Sequence, residues 1–181
     1  MRPAEAGARV SLISGPVHLA TPTNVKRINV ETAQQMHNEV MVQLENCDLF
    51  IACAAVSDFS PSKVSSHKIK KTENNVLQLI LQPTVDIVSS VTEIDCPPFV
   101  VGFAAETEAI ENYAKDKLQR KKLDMIAANR VGEGVGFAVD DNELQVFWDE
   151  DSHILPLASK SQIARDLMIL IIERYNAKNT T

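Results

Sequence analysis

The nine residues DLFIACAAV, Asp48 to Val56, are apolar at every position after the aspartate. A strand with one wet face alternates apolar and polar side chains. A run without alternation reads as a strand packed on both faces, the condition of an inner strand in a parallel sheet between helices. PFVVGFAA (98–105) repeats the pattern, and LDMIAAN (123–129) gives a third apolar run. Helical signals lie between and after them. Thr32 and Gln35 stand at capping-box spacing, and Ala33, Met36, Val40 and Leu44 follow at helical spacing up to Asn46. A second helix is expected from Thr107 to Lys122. A final one begins at the Ser159 and Gln162 pair, with Ile163, Leu167, Leu170 and Ile171 on one face. Shorter strands are expected at RVSLIS (9–14), VKRINV (25–30), VLQLILQ (76–82), ELQVFW (143–148) and HILPL (153–157). Strands alternating with helices predict an α/β architecture around a mainly parallel sheet.

Composition narrows what such a fold does here. With 181 residues, 45% hydrophobic and 23% charged, the chain has material for one sizeable core and is short for two, so a single domain over residues 1–181 is expected. The longest apolar run falls far short of the roughly 20 residues that cross a bilayer. The start, MRPAEAGARV, has no apolar signal-peptide core, so a cytosolic protein with no membrane partner is expected. Cys47, Cys53 and Cys96 form neither an even set nor a C-x-x-C spacing and read as reduced thiols. A formal charge of −6 argues against general nucleic-acid binding, which needs a basic face. Any anion site must be local.

Ligands of open parallel sheets bind beyond the carboxyl ends of the strands. Three such ends carry small or acidic residues: AAVSD (54–58), GFAAET (102–107) and AANRVGEG (127–134). Taken singly, paired alanines are equally tight helix–sheet packing, and Asp58 or Glu106 is equally a helix cap. Behind the first end, four lysines and no acid lie between Ser60 and Thr72, among them Lys68, Lys70 and Lys71. Alone, such a run is a solvated surface. A second basic pair, Lys117 and Lys121, stands four residues apart on one face of the second expected helix. Two basic groups beside one ligand edge point to a polyanion, most economically a nucleoside triphosphate.

The series SGP (14–16), AAVSDF (54–59), KIKK (68–71), DIV (86–88), VGFAAET (101–107), LDMIAAN (123–129) and Phe147-Trp148 resembles phosphopantothenate–cysteine ligase, the synthetase half of the bacterial bifunctional coenzyme A biosynthesis protein. The resemblance runs from Gly7 to Asn179 and implies a three-layer Rossmann-like sheet. It implies joining of 4'-phosphopantothenate to cysteine, with CTP activating the carboxylate as an acyl-cytidylate, Mg2+ required, and a homodimer. By the same resemblance Lys68 is the catalytic lysine of a loop that closes on the nucleotide. Ala52, Cys53, Ala54, Ala55, Asp58, Asp86, Ile87, Val88, Phe103, Lys117 and Lys121 are implied nucleotide contacts. Asp58 keeps the family's separation of ten positions from Lys68, whereas Pro83 stands two residues earlier than the family's P-D-I-V pattern puts it.

The resemblance also has departures. The family's first strand, Gly-rich loop and first helix, which precede the Gly7-Ala8-Arg9-Val10 match, have no counterpart here, and neither has the flavin-dependent decarboxylase half. No flavin is therefore expected in this chain. Loss of that strand leads us to expect an unpaired sheet edge, and a non-catalytic nucleotide-binding remnant stands as the alternative to a working ligase. A nicotinamide-binding domain fits the α/β pattern but lacks a G-x-G-x-x-G after the first strand.

Overall fold

The unalternating runs become strands of a sheet with a separate core on each face. The computed structural model describes residues 7–70, 77–106, 108–130, 141–149 and 151–180. In order these form β1 (Val10–Ser14), β2 (Val25–Asn29), α1 (Ala33–Gln43) with a 3-10 turn (Leu44–Asn46), β3 (Leu49–Ala52), β4 (Phe59–Pro61) and β5 (Leu81–Pro83). They continue with α2 (Ile87–Thr92), β6 (Phe99–Glu106), α3 (Ile110–Arg120), β7 (Met125–Arg130), β8 (Asp141–Trp148), β9 (Asp151–Ser159) and α4 (Lys160–Asn179).

The main sheet has the order β3-β6-β7-β8-β9. β3, β6 and β7 are parallel, with Leu49 opposite Phe99 and Val101 opposite Met125, and β8 and β9 extend the sheet antiparallel. On one face Val40 of α1, Val91 of α2 and Ala114 and Leu118 of α3 pack with Val100, Ile126 and Ala128. On the other, Ile163, Leu167, Met168 and Ile171 of α4 pack with Phe99, Val101, Met125 and Val146. Val100 and Val101 are thus neighbours in sequence serving opposite cores, 1% and 0% exposed. That is the physical content of a run without alternation: each side chain removes apolar area from water, worth about 1.5–3 kcal/mol when complete. Gly102 fits the same strand for a steric reason, since a Cβ there would lie 2.7 Å from Leu123 Cδ1.

The sheet is interrupted. β1 and β2 make a separate parallel pair, Val10 opposite Val25, and among the described residues no pairing joins β1 to β3. Ile13 and Phe50 nevertheless pack against one and the same core cluster. Among the described residues each of these strands leaves one edge unpaired. β3 is accordingly only half-buried along its length despite a sequence as apolar as that of β6. An unpaired edge presents free backbone donors and acceptors, a template for association.

Several expected boundaries shift. Among the described residues of the strand expected over 76–82, none joins the main sheet, and the paired strand is Leu81–Pro83, antiparallel to Phe59–Pro61. Leu77, Leu79, Ile80 and Leu81 are all exposed, so the apolar alternation there found no core to face. β3 stops at Ala52, short of Val56, because the chain turns out toward β4 where β6 continues. α3 starts at Ile110 rather than Thr107, behind Ala109 at φ 47 with no side-chain cap. The capping box is formed in full at α1, where Thr32 Oγ1 accepts from Gln35 N and Gln35 Oε1 accepts from Thr32 N.

Candidate functional site

Of the basic and acidic residues singled out in the sequence, Lys117, Lys121, Asp58 and Asp86 lie near one another, where β6, α2 and α3 come together. Lys117 on α3 and Lys121 at its C-cap, four residues apart, reach β6 and α2 respectively. Lys117 Nζ donates to the backbone carbonyl of Phe103 at 3.0 Å. Lys121 Nζ pairs with the Asp86 carboxylate and donates to Ser89 Oγ at 3.2 Å. The Lys121 side chain is 14% exposed, which separates it from an ordinary surface lysine. Burial pushes its ammonium below the usual lysine value, and the carboxylate of Asp58 pulls it part of the way back. A partly buried cation paired with one carboxylate and influenced by a second can serve an anion: a phosphate that displaces Asp86 would meet a charge with little water around it.

Asp86 has a second task. Its Oδ1 accepts from Ser89 N at 3.1 Å and caps α2, whose Ile87 is buried in the core and whose Val88 packs beside it. Ile87 and Val88 therefore act here as packing, and what they offer a ligand is backbone. Asp58 belongs to the same neighbourhood through its main chain. Its carbonyl accepts from Thr84 N at 2.9 Å, and Thr84 Oγ1 donates to the carbonyl of Ser57 at 2.5 Å. These two bonds tie the β4–β5 ribbon to the strand end. Ser89 and Thr84 were not legible in the sequence, since a serine inside a capped turn and a threonine in a loop carry no chemical signature.

Ala52 ends β3, and Cys53, Ala54 and Ala55 continue from it exposed, with backbone free of side-chain cover. Cys53 is exposed as a residue, yet desolvation raises its thiol, so it offers no thiolate at neutral pH. Phe103 is half-buried and packs against the α4-side core, and its carbonyl reaches Lys117. Lys68 and Lys70 lie exposed in the loop carried by the β4–β5 ribbon. The structure does not bring Lys68 onto Lys117 or Lys121, and among the described residues it makes no ion pair. Lys71 and the Glu106 side chain lie outside the described residues.

Two clefts flank this centre. One, of about 460 Å³, lies at the opposite end of α3 among Glu108, Glu111, Asn112, Glu143 and Gln145; three carboxylates make it unfit for phosphate. The other, of about 420 Å³, opens at the carboxyl ends of β1 and β2. Among the described residues no cluster of three or more His, Cys, Asp or Glu side chains is arranged to hold a metal, and no helix is long and apolar enough to cross a membrane.

Known proteins share this chain's sequence pattern and fold. Residues 2–175 match the family model described as the DNA/pantothenate metabolism flavoprotein C-terminal domain. The chain is 49% identical over 174 residues to the coenzyme A biosynthesis bifunctional protein CoaBC of Vibrio cholerae, covering 94% of this chain and 44% of the relative. It is 43% identical over 180 residues to that of Escherichia coli strain K12, covering 97% of this chain and 44% of the relative. It thus spans less than half the length of these relatives. A crystal structure of a CoaBC C-terminal domain superposes with a TM-score of 0.79 at 31% identity, covering 98% of this chain and 79% of that one. A Cab2 mutant in complex with phosphopantothenate-cysteine shares the fold, with a TM-score of 0.68 at 18% identity over 87% of this chain and 56% of its own.

Proposed function

Because the chain belongs to the family of the DNA/pantothenate metabolism flavoprotein C-terminal domain, we propose that it serves as a phosphopantothenate–cysteine ligase in coenzyme A biosynthesis, with CTP as the activating nucleotide. The observation that supports this reading is Lys121, partly buried at the C-cap of α3 and paired with Asp86, with Lys117 four residues before it on the helix.

In the proposed reaction the carboxylate of phosphopantothenate attacks the α-phosphorus of CTP. The new O–P bond displaces pyrophosphate and leaves an acyl-cytidylate. The amine of cysteine then attacks the acyl carbon, CMP departs with the bonding pair, and the nitrogen loses its proton. Both reactants of the first step are anions, so fixed cations aimed at the charge developing on the phosphate are the largest help available. Lys117 and Lys121 hold the nucleotide from a rigid helix. Lys68, on a loop tethered at its base by Thr84, is the cation brought in as the loop closes and water leaves. The exposed backbone of Ala52, Cys53, Ala54 and Ala55 offers donors and acceptors for the edge of cytosine, and Asp58 stands where ribose or base passes. Magnesium fits as an ion arriving on the phosphate oxygens, since its preferred ligands are oxygens and water and Asp58 and Asp86 are carboxylates available to it among the described residues. A homodimer working in the cytoplasm is part of the same proposal, as is association with a flavin-dependent decarboxylase module.

The test is product analysis. With phosphopantothenate, CTP, magnesium and cysteine, the ligase reading expects pyrophosphate and ligated product in equal amounts. CTP binding without either product would identify the chain as a nucleotide-binding remnant.

A further inference from the structure

The short helix α2 carries three side-chain hydroxyls, Ser89, Ser90 and Thr92, and they are not used alike. Ser90 Oγ donates to the carbonyl of Asp86 at 2.9 Å and Thr92 Oγ1 to that of Ser89 at 3.2 Å. That is the ordinary use of a helical serine or threonine, which gives its proton to its own backbone. Ser89 is the exception. Its Oγ accepts from Lys121 Nζ at 3.2 Å, across 32 positions of sequence. A hydroxyl that accepts in this way keeps its own O–H to give, and among the described residues nothing takes that proton.

The backbone of Ser89 is fixed on both sides. Its N–H donates to Asp86 Oδ1 at 3.1 Å, its carbonyl accepts from Glu93 N at 3.0 Å, and Ile87 and Val91, two residues before and after it, are buried in the core. Lys121, by contrast, reaches α2 on a long stem from the C-cap of α3, and the rotamer freedom of that stem must be frozen before its charge can serve a ligand. The two partners of its ammonium differ in kind. Asp86 is an anion, so it neutralises the ammonium and competes with any phosphate for it; Ser89 is neutral and does neither. Asp86 also divides its work between its oxygens, Oδ2 pairing with Lys121 and Oδ1 capping α2. When Oδ2 releases the lysine, Oδ1 still holds the cap, and Ser89 stays where it is.

We propose that Ser89 is the positioning residue for Lys121: it keeps the ammonium in place while a phosphate group of the nucleotide displaces the Asp86 carboxylate, so that binding exchanges one anion for another without rebuilding the site. The inference rests on the nucleotide reading of Lys117 and Lys121 and adds to it a residue that acts through one of those lysines. Two consequences separate this role from a general part in folding α2. A ligand without phosphate gains nothing from Ser89, and a chain without the Lys121 ammonium has no use for it.

The test is calorimetric titration of the chain with CTP and magnesium, with cytidine, which has no phosphate, followed in parallel by NMR shifts of the isotope-labelled chain. Ser89→Ala should weaken CTP about 2- to 10-fold, the range of one neutral hydrogen bond, and leave cytidine unchanged. Ser89→Thr keeps a hydroxyl and should recover most of the CTP affinity. In Lys121→Met, which has lost the ammonium, adding Ser89→Ala should change CTP affinity by less than about twofold. CTP affinity unchanged in Ser89→Ala, an equal loss for cytidine, or an equal loss in the Lys121→Met background would each overturn the proposal. Lys121→Met alone keeps the two readings apart. If it weakens CTP while Ser89→Ala is silent, only the positioning role falls; if CTP binds as well without the ammonium, or does not bind the unmodified chain, the nucleotide site falls and Ser89 with it.

Discussion

Replacing Lys121 by methionine separates a lysine kept for binding from one kept for the fold. The substitution retains the apolar stem that passes beside α2 and deletes the charge. Three interactions change in the free protein. The ion pair with Asp86 is lost, but Asp86 is 47% exposed and returns to water, so the pair is worth at most about 1 kcal/mol. The bond to Ser89 Oγ, at 3.2 Å, contributes about 0.5–1.5 kcal/mol. Against both stands the desolvation that lowers the Lys121 ammonium, which disappears with the charge. The opposed contributions leave a stability change within about 1 kcal/mol, or roughly 2–4 °C in melting temperature for a chain of this size. Nucleotide binding has no such cancellation. A charge-assisted contact to phosphate is worth about 1.5–3 kcal/mol, so CTP affinity should fall by about 10- to 150-fold. Calorimetric titration with magnesium and CTP, paired with thermal melts, reads both quantities. A large loss of stability with CTP affinity unchanged would make Lys121 a structural lysine and refute the reasoning.

Three further outcomes are expected. Since burial lowers the Lys121 ammonium, its proton is lost at a pH below the ordinary lysine range. The folding penalty for that buried charge is present below the lowered value and fades as pH rises through it, whereas CTP affinity should weaken over the same window; Lys121→Arg should remove the pH dependence in calorimetry at stepped pH. In a chimera carrying the amino-terminal residues of the Vibrio cholerae relative, Lys68→Gln should lower turnover by about 10² to 10³ with a smaller change in CTP affinity, and a pyrophosphate-release assay that finds turnover unchanged would return the basic loop to a solvated surface. Gly102→Ala brings a methyl to 2.7 Å from Leu123 Cδ1, the movable end of a side chain, and should cost about 1 kcal/mol in denaturant unfolding, with a cost that shrinks when measured in a Leu123→Ala background.

What was legible in the sequence follows from the kind of force at each position. The apolar runs at 49–56, 98–105 and 123–129 mark the parallel strands because burial on two faces leaves no room for polar side chains, and Val100 and Val101 show that arrangement directly. The helix starts at Thr32 and Ser159 were legible because capping is local, settled within four residues. Strand 76–82 misled because alternation records a face that is apolar without saying whether anything covers it, and here Leu77 and Leu79 stay in solvent. The spacing of Lys117 and Lys121 gave a shared helix face, but not which way that face turns. Their partners come from other elements: Phe103 from β6, and Asp86 and Ser89 from α2.

The central claim is a cytidine nucleotide site built on α3 and the ends of β3 and β6. Calorimetry of CTP against ATP, each with magnesium, on the unmodified chain and on Lys117→Gln/Lys121→Gln, tests it most directly. CTP is expected to bind more tightly than ATP, because the exposed backbone after Ala52 reads the edge of the base, and the double substitution should remove most of the affinity for both nucleotides. Equal affinity for CTP and ATP, or CTP binding that persists in the double variant, would contradict the account.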